Sequence, residues 1–434
     1  MPRSAGTVLL RGGRLVDPAA GRDEVVDVLV RDGVVEGLGD EAVATGAEVV
    51  DCAGLVVAPG LVDLHTHLRE PGREDKETIE TGTRAAALGG YTAVAAMANT
   101  DPVADNAAVV QEVLALADKA GLCEVFPVGA VTKGLDGDVL SEIGEMAAVG
   151  VRMFSDDGRC VERARVLRLA LQYATAFDVV IAEHCEEHSL AEGAQMHEGY
   201  HSSVLGLAGA PREAEEIMVA RDIALARLTG GRLHLCHLSS AGSVELVRRA
   251  RAEGIRVTCE VTPHHLTFCD EDLGTYDTNF KVNPPLRSPE DRTALRSAVA
   301  EGTIDAIATD HAPHAVEEKD QEFDQAPPGT TGLETALGAA LIELGGDGVA
   351  LSRIVEAMST APARILGAPD HGGPVEPGAP ANMVAFDPDA VWTVSPPFAS
   401  KSRNSAFLGR TLRGRVVHTL FRGEPVVRDG EARR

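Results

Sequence analysis

Two histidines, His65 and His67, follow an apolar run from Leu55 to Leu64 and open the octapeptide His65-Thr66-His67-Leu68-Arg69-Glu70-Pro71-Gly72. Residues two apart on a strand project to one face, so both imidazoles can meet a single ion while Arg69 follows in the loop. Alone, such a pair packs or is solvated more often than it binds metal, so a metal-hydrolase reading needs further ligands. They follow other apolar runs: Asn99, Asp156-Asp157-Gly158, His184, His237, His264-His265 and Asp310. Two divalent ions sharing a hydroxide need about three or four protein ligands each, with an anionic group between them. Four histidines and two aspartates meet that need.

The elements that must position these groups alternate between strand and helix. Strands are expected over Leu61 to His67, Tyr91 to Ala98, Glu124 to Ala130, Val149 to Phe154, Asp178 to His184, Arg232 to Leu238, Ile255 to Val261 and Ile304 to Thr309. Helical patterns fall between them, over Lys76 to Leu88, Ala107 to Ala120, Val161 to Tyr173, Ala214 to Leu228, Ser243 to Ala252 and Asp291 to Ala300. This order predicts an α/β protein with a (β/α)8 TIM-type barrel, whose active site lies at the C-terminal ends of the strands. The candidate ligands stand at those ends. His234, three residues before His237, is expected on the opposite, helix-facing side. An open doubly wound sheet is the competing fold, but the Gly-rich phosphate loop it carries after its first strand is missing.

Both ends of the chain read differently. Short valine-rich runs punctuated by Gly12-Gly13, Asp32-Gly33 and Gly39-Asp40 recur up to Val57, and the texture returns from Asn382 to Arg428. The expected division is therefore 1–58 and 367–434 as the two parts of a small composite β-sandwich domain, around a catalytic barrel at 59–366.

Composition narrows the partners. With 66 acidic against 40 basic residues, a net charge of -26 argues against a nucleic-acid or anionic-membrane surface. No run approaches the ~18 apolar residues of a membrane span, and Met1 to Arg14 lacks a signal peptide's apolar core, so a cytoplasmic protein is expected. The seven cysteines are odd in number and contain no Cys-x-x-Cys pair, which suggests neither a disulfide framework nor a thiolate zinc site.

The motifs together resemble the amidohydrolase superfamily and, within it, the bacterial class I dihydroorotases, over nearly the whole length. The resemblance rests on the octapeptide at His65, Ala98-Asn99-Thr100, Phe154-Ser155-Asp156-Asp157-Gly158, Ala182-Glu183-His184, Cys236-His237-Leu238-Ser239, Val261-Thr262-Pro263-His264-His265, Lys281-Val282-Asn283-Pro284-Pro285-Leu286-Arg287 and Thr309-Asp310-His311-Ala312-Pro313-His314. It implies that His65, His67 and Asp310 hold one zinc and His184 and His237 a second, with Asp157 bridging; Asp156 is the alternative bridge. It further implies that Asp310 is the general acid/base. Substrate contacts are implied for His67, Leu68, Arg69, Asn99, Asn283 and His314, and for Pro328 and Gly329 through their backbone. Arg69 suits a substrate carboxylate because its guanidinium is a planar bidentate fork. His264 and His265 are read as orienting rather than ligating residues, and the stretch from Asp310 to Thr330 as a loop over the site.

One departure is informative. Hydantoinases, allantoinases and many dihydroorotases bridge their metals with a carboxylated lysine on strand four, yet no lysine occurs here between Lys133 and Lys281. The Asp-Asp-Gly sequence fits the class I pattern instead. The implied activity is zinc-dependent, reversible cyclisation of N-carbamoyl-L-aspartate to L-dihydroorotate in pyrimidine biosynthesis. A hydantoinase is the nearest alternative, disfavoured by the missing lysine and by Arg69. A non-catalytic scaffold for aspartate transcarbamoylase is another, disfavoured by the retained ligands. A homodimer and an association with aspartate transcarbamoylase stand as partner expectations beside the small-molecule substrate.

Overall fold

A computed structural model describes residues 6–42 and 46–433. The first five residues and Arg434, which the sequence reading assigns to the two parts of the β-domain, lie outside the described residues.

Parallel strands form the middle of the chain: β1 (Leu61–Thr66), β2 (Tyr91–Ala96), β3 (Glu124–Pro127), β4 (Met153–Phe154), β5 (Val180–Glu183), β6 (Arg232–Leu235), β7 (Val257–Val261) and β8 (Ala306–Ile307). β3, β2 and β1 make one three-stranded sheet, and β4 to β8 pair in chain order in a five-stranded one. Single parallel bridges, Gly129 to Phe154 and Thr66 to His311, join the two sheets at both edges. β1 and β2 are buried at every residue. Continuous apolar strands of this kind are what a parallel sheet covered on both faces requires.

Six of the eight observed strands stop before their expected ends, while β4 and β7 end at Phe154 and Val261 as expected. β5 ends at Glu183, one residue before His184, and β6 at Leu235, two before His237. The extended patterns read from the sequence run on into the loops that carry the polar groups.

Helices cover the outer faces, and their ends follow local chemistry. Ala107–Ala120 begins where Asn106 Oδ1 accepts from the Ala108 and Val109 N–H groups, and stops at Gly121, whose φ of 61° suits glycine. Val109, Val110, Val113 and Ala117 make its buried stripe. Helix Ile79–Leu88, which follows the first loop of the site, is fixed by a capping box between Thr78 and Thr81.

Strands from both ends of the chain share one seven-stranded sheet. Val56–Pro59 pairs antiparallel with Met383–Thr393, in register Met383 to Pro59 and Phe386 to Val56. A four-stranded sheet built from the N-terminal segment, including Val8–Arg11 and Val28–Arg31, lies beside it. Val8, Leu10, Leu15, Val30, Met383 and Leu420 pack into one apolar cluster there. Between Met383–Thr393 and Thr411–Phe421 the chain leaves the sheet, and its Ala399 to Ala406 stretch runs back over the loops of the middle segment.

Candidate metal centre

His65 and His67 converge with Asp157 and Asp310. Asp310 Oδ1 lies 3.1 Å from His67 Nε2 and 3.5 Å from His65 Nε2. Asp157 Oδ2 is 3.3 Å from His65 Nε2 and 3.4 Å from His67 Nε2. Its other oxygen, Oδ1, is 3.4 Å from His237 Nε2 and 3.8 Å from His184 Nδ1. One carboxylate thus faces both histidine pairs. Asp156 turns away: its Oδ1 accepts from the Val131 and Thr132 N–H groups, and its Oδ2 from the Thr132 hydroxyl.

Local backbone irregularities aim these side chains. Pairing of β1 with β2 shifts register between Asp63 and Thr66, around His65. Such bulges redirect side chains near active sites. Arg69, His237 and Asp310 adopt positive φ values of 63°, 33° and 45°. Non-glycine residues seldom do so, and the conformations concentrate at functional positions. At Asp310 the turn is held from below, where Asp63 Oδ1 accepts from the Thr309 N–H.

The donor set fits a cation. His65 Nε2 and Asp157 Oδ1 are buried without a hydrogen-bond partner. His65, His67 and Asp310 present ligand atoms close enough to share one ion, as do His65, Asp157 and His237. Burial alone would lower the His65 pKa, yet Asp157 and Asp310 outweigh it and draw positive charge onto the ring. A bound cation would take the place of that proton. Burial likewise pushes the Asp157 and Asp310 carboxyls up, but the surrounding histidines hold both below the usual carboxylate range.

Hydrogen bonds set the imidazole tautomers. A carboxylate only accepts, so Glu260 Oε1 accepts from the Nδ1–H of His65 at 3.0 Å, and Nε2, which faces the aspartates, is the nitrogen that would give up its proton to a cation. Asn99 Oδ1, 2.9 Å from His67 Nδ1, does the same for the second ring. His184 Nδ1 lies 3.0 Å from His237 Nε2, and Asn283 Nδ2 donates toward His184 Nε2 at 3.3 Å. His265 Nε2 donates to Pro284 O at 3.0 Å, which ties it to the segment bearing Asn283. His264 Nε2 is buried without a partner.

Arg69 lies at the edge of this group, its Nε donating to Pro313 O at 3.2 Å. Leu68 is buried behind it. His314 Nε2 donates to Pro328 O at 2.9 Å, so the two ends of the Asp310 to Thr330 stretch meet. Gly329 donates its N–H to Lys281 O. Its carbonyl accepts from Lys319 and Asn404. A cavity of 280 Å³ lined by Glu186, Gln195, Met196, Lys281, Asn283 and Pro328 opens alongside.

One expectation is corrected. His234 does not face the helices: Leu233 and Leu235 do, within the main core, while His234 Nε2 donates to Glu260 Oε2 at 3.1 Å on the inner face. Counting back from His237 fails because the strand ends at Leu235 and His237 has a positive φ. Glu260 itself escaped the sequence reading. An acid between Cys259 and Val261 in an apolar strand is the signal that marks it, since a buried carboxylate needs partners.

The fold is shared with solved hydantoinases. An L-hydantoinase (dihydropyrimidinase) from Arthrobacter aurescens superimposes with a TM-score of 0.88 at 27% identity, covering 98% of this chain and 97% of that one. A dihydropyrimidinase from Brevibacillus agri gives 0.82 at 25% identity, with 98% and 96% covered. Fold and site together define an amidohydrolase. Residues 54–243 match the family model described as Dihydro-orotase-like. Curated proteins named dihydroorotase from Pelotomaculum thermopropionicum and Streptomyces coelicolor are each 52% identical, covering 97% and 98% of this chain and 99% of each relative. One from Mycobacterium tuberculosis is 52% identical over 98% of this chain and all of its own length. The chain belongs to the dihydroorotase family.

Proposed function

We infer that the protein is a dihydroorotase, interconverting N-carbamoyl-L-aspartate and L-dihydroorotate in pyrimidine biosynthesis. The observation that carries the site reading is Asp157, whose two oxygens face the His65–His67 pair and the His184–His237 pair. His65, His67 and Asp310 would hold one divalent ion and His184 and His237 the other, with Asp157 between them. Imidazole and carboxylate donors suit zinc. When bound, such ions polarise a carbonyl and lower the pKa of water.

The chain's own groups supply the rest. Asp310, kept ionised by His65 and His67 despite its burial, accepts a proton and delivers it to the ring nitrogen as the amide opens. In the reverse direction it takes that proton from the closing nitrogen. Arg69 pairs with the substrate carboxylate, Asn99 beside it. Asn283 reaches the ring from the opposite side, where the 280 Å³ cavity adjoins the site. His314 and the Pro328–Gly329 backbone wall the remaining side. The Pro328 carbonyl keeps a second lone pair for substrate beyond its bond to His314.

The bridges Gly129–Phe154 and Thr66–His311 support closure of the parallel strands into an eight-stranded barrel over about 59–366. The two end sheets, sharing one apolar cluster, support a composite β-sandwich from 1–58 and 367–434. All seven cysteines are free, which suits a reducing cytoplasm. Among the described residues no helix is long and apolar enough to cross a membrane.

Turnover of L-dihydroorotate and hydantoin, measured with metal content before and after chelation, tests the assignment. Dihydroorotate turnover that disappears with the metal and returns with zinc is the expected result. A preference for hydantoin, or activity indifferent to complete metal removal, overturns it.

A further inference from the structure

Asn404 stands more than ninety residues beyond Asp310 in the chain, in the C-terminal stretch that returns over the middle segment, and it is 4% exposed. Both of its amide donors and its amide oxygen are engaged. Nδ2 donates to Ala312 O at 3.0 Å and to Gly329 O at 3.1 Å, and Oδ1 accepts from the His314 N–H at 3.0 Å. Its backbone carbonyl accepts from the Thr331 N–H at 2.9 Å and from the Thr330 hydroxyl at 3.1 Å. Thr330 Oγ1 in turn accepts from the Ala406 N–H at 2.8 Å.

One side chain thereby joins both ends of the loop that starts at Asp310. The two ends run side by side, with a parallel bridge from His311 to Thr330 and an Ala312 N–H to Thr330 O bond. Their separation fixes where the His314 ring stands against Gly329. A Cβ at Gly329 would come within 2.9 Å of that ring, so the fit has little slack.

The same returning stretch also grips the loop after β1. Lys401 N–H donates to Glu77 Oε1 at 3.0 Å, and the Ser402 hydroxyl donates to Lys76 O at 2.7 Å. Chain from the C-terminal segment therefore spans from the Arg69 side of the site to the His314 side.

We propose that Asn404 is a positioning residue for substrate: it holds His314 and Gly329 in register and so sets the wall against which the substrate ring and carboxylate are placed. The proposal rests on the reading of His314 and Gly329 as substrate contacts. Asn404 touches none of the six candidate metal ligands by side-chain hydrogen bond, so its effect falls on binding rather than on the metal centre.

The test is steady-state kinetics on purified, metal-replete Asn404→Ala and Asn404→Asp, with His314→Ala as the reference. Asn404→Asp keeps the acceptor for the His314 N–H and removes both donors. The expected result is a KM for L-dihydroorotate raised about tenfold or more in both Asn404 variants, kcat within about threefold of the parent, and unchanged metal content. A displacement of about 1 Å in a positioned group is enough for an effect of this size. Amide hydrogen exchange in 312–330 rises in the same variants. If the Asn404 variants do not fold, Thr330→Val loosens the same junction and raises KM in the same direction.

The outcomes separate the two readings. An unchanged KM in Asn404→Ala, with KM raised in His314→Ala, overturns the positioning role and leaves the substrate wall standing. An unchanged KM in His314→Ala as well removes the wall and the proposal with it. A fall in kcat with loss of metal places Asn404 in support of the metal centre and equally overturns the proposal.

Discussion

His65 and Glu260 form a 3.0 Å hydrogen bond in which the ring Nδ1–H donates and the carboxylate accepts. Glu260 is itself held by His234 at 3.1 Å, and His234 Nδ1 faces the Thr258 hydroxyl at 2.9 Å. Burial pushes the Glu260 carboxyl up, but His234 and His65 outweigh it and bring its pKa down to about 2. The carboxylate is therefore charged throughout the neutral range, which raises the basicity of His65 and fixes its tautomer.

Glu260→Gln keeps the volume and removes the charge. Partners of this kind set metal affinity by about 10- to 100-fold. The expected outcome is a loss of that order in a chelator-competition titration, with far-UV circular dichroism unchanged. Affinity equal to the parent's would remove Glu260 from this role.

Arg69 sits at the edge of the imidazole cluster, partly buried, and among the described residues only its Nε has a backbone acceptor, Pro313 O. Its planar fork is what a carboxylate would engage. Arg69→Lys preserves the charge but not the bidentate geometry, so KM for dihydroorotate is expected to rise by about tenfold or more, consistent with the 1.5–3 kcal/mol of a charged hydrogen bond. Any residual turnover of hydantoin, which lacks the carboxylate, should change little. Equal losses on both substrates would assign Arg69 to the fold instead.

The sequence made some of these relationships legible and hid others for physical reasons. Apolar runs alternating with helical segments located the parallel strands, and the polar residue types just beyond each run located the site, because strand ends are where a parallel α/β fold exposes backbone and side chains to a cleft. Parity then failed at His234, since the strand stops at Leu235 and His237 turns with a φ of 33°. Neighbouring aspartates were beyond periodicity altogether. Only the three-dimensional placement of the Val131 and Thr132 N–H groups shows Asp156 satisfied and Asp157 free to face the histidines. Asn404 had no local signal, because the partners of its side chain lie 75 to 92 residues upstream in chain order.

Asp310→Asn tests the proton-transfer role. The carboxylate lies 3.1 Å from His67 Nε2, and an amide of the same size can fill that place without accepting a proton. Turnover should fall by at least the ~10²-fold typical of lost acid/base catalysis, with the thermal midpoint close to the parent's. Activity near the parent's would require another base.

Lys319 supplies a pH dependence of stability that is separate from the metal centre. Its Nζ is buried and donates to Pro327 O at 2.9 Å and Gly329 O at 3.1 Å. Burial, with Lys281 nearby, lowers its pKa from 10.5 to about 7. The unfolded chain keeps the ordinary value, so between those two pH values it holds a proton that the folded protein has released. Stability therefore rises with pH across that window, by at most about 1.4 kcal/mol per pH unit, and the full cost of burying the charge is present below pH 7. A neutral amine still has two N–H groups, so both bonds to the loop survive deprotonation. Denaturant unfolding at pH 7 and pH 9.5 should show a gain in the parent that exceeds the gain in Lys319→Met. Parallel pH profiles for the two proteins would show that Lys319 keeps its proton inside the fold.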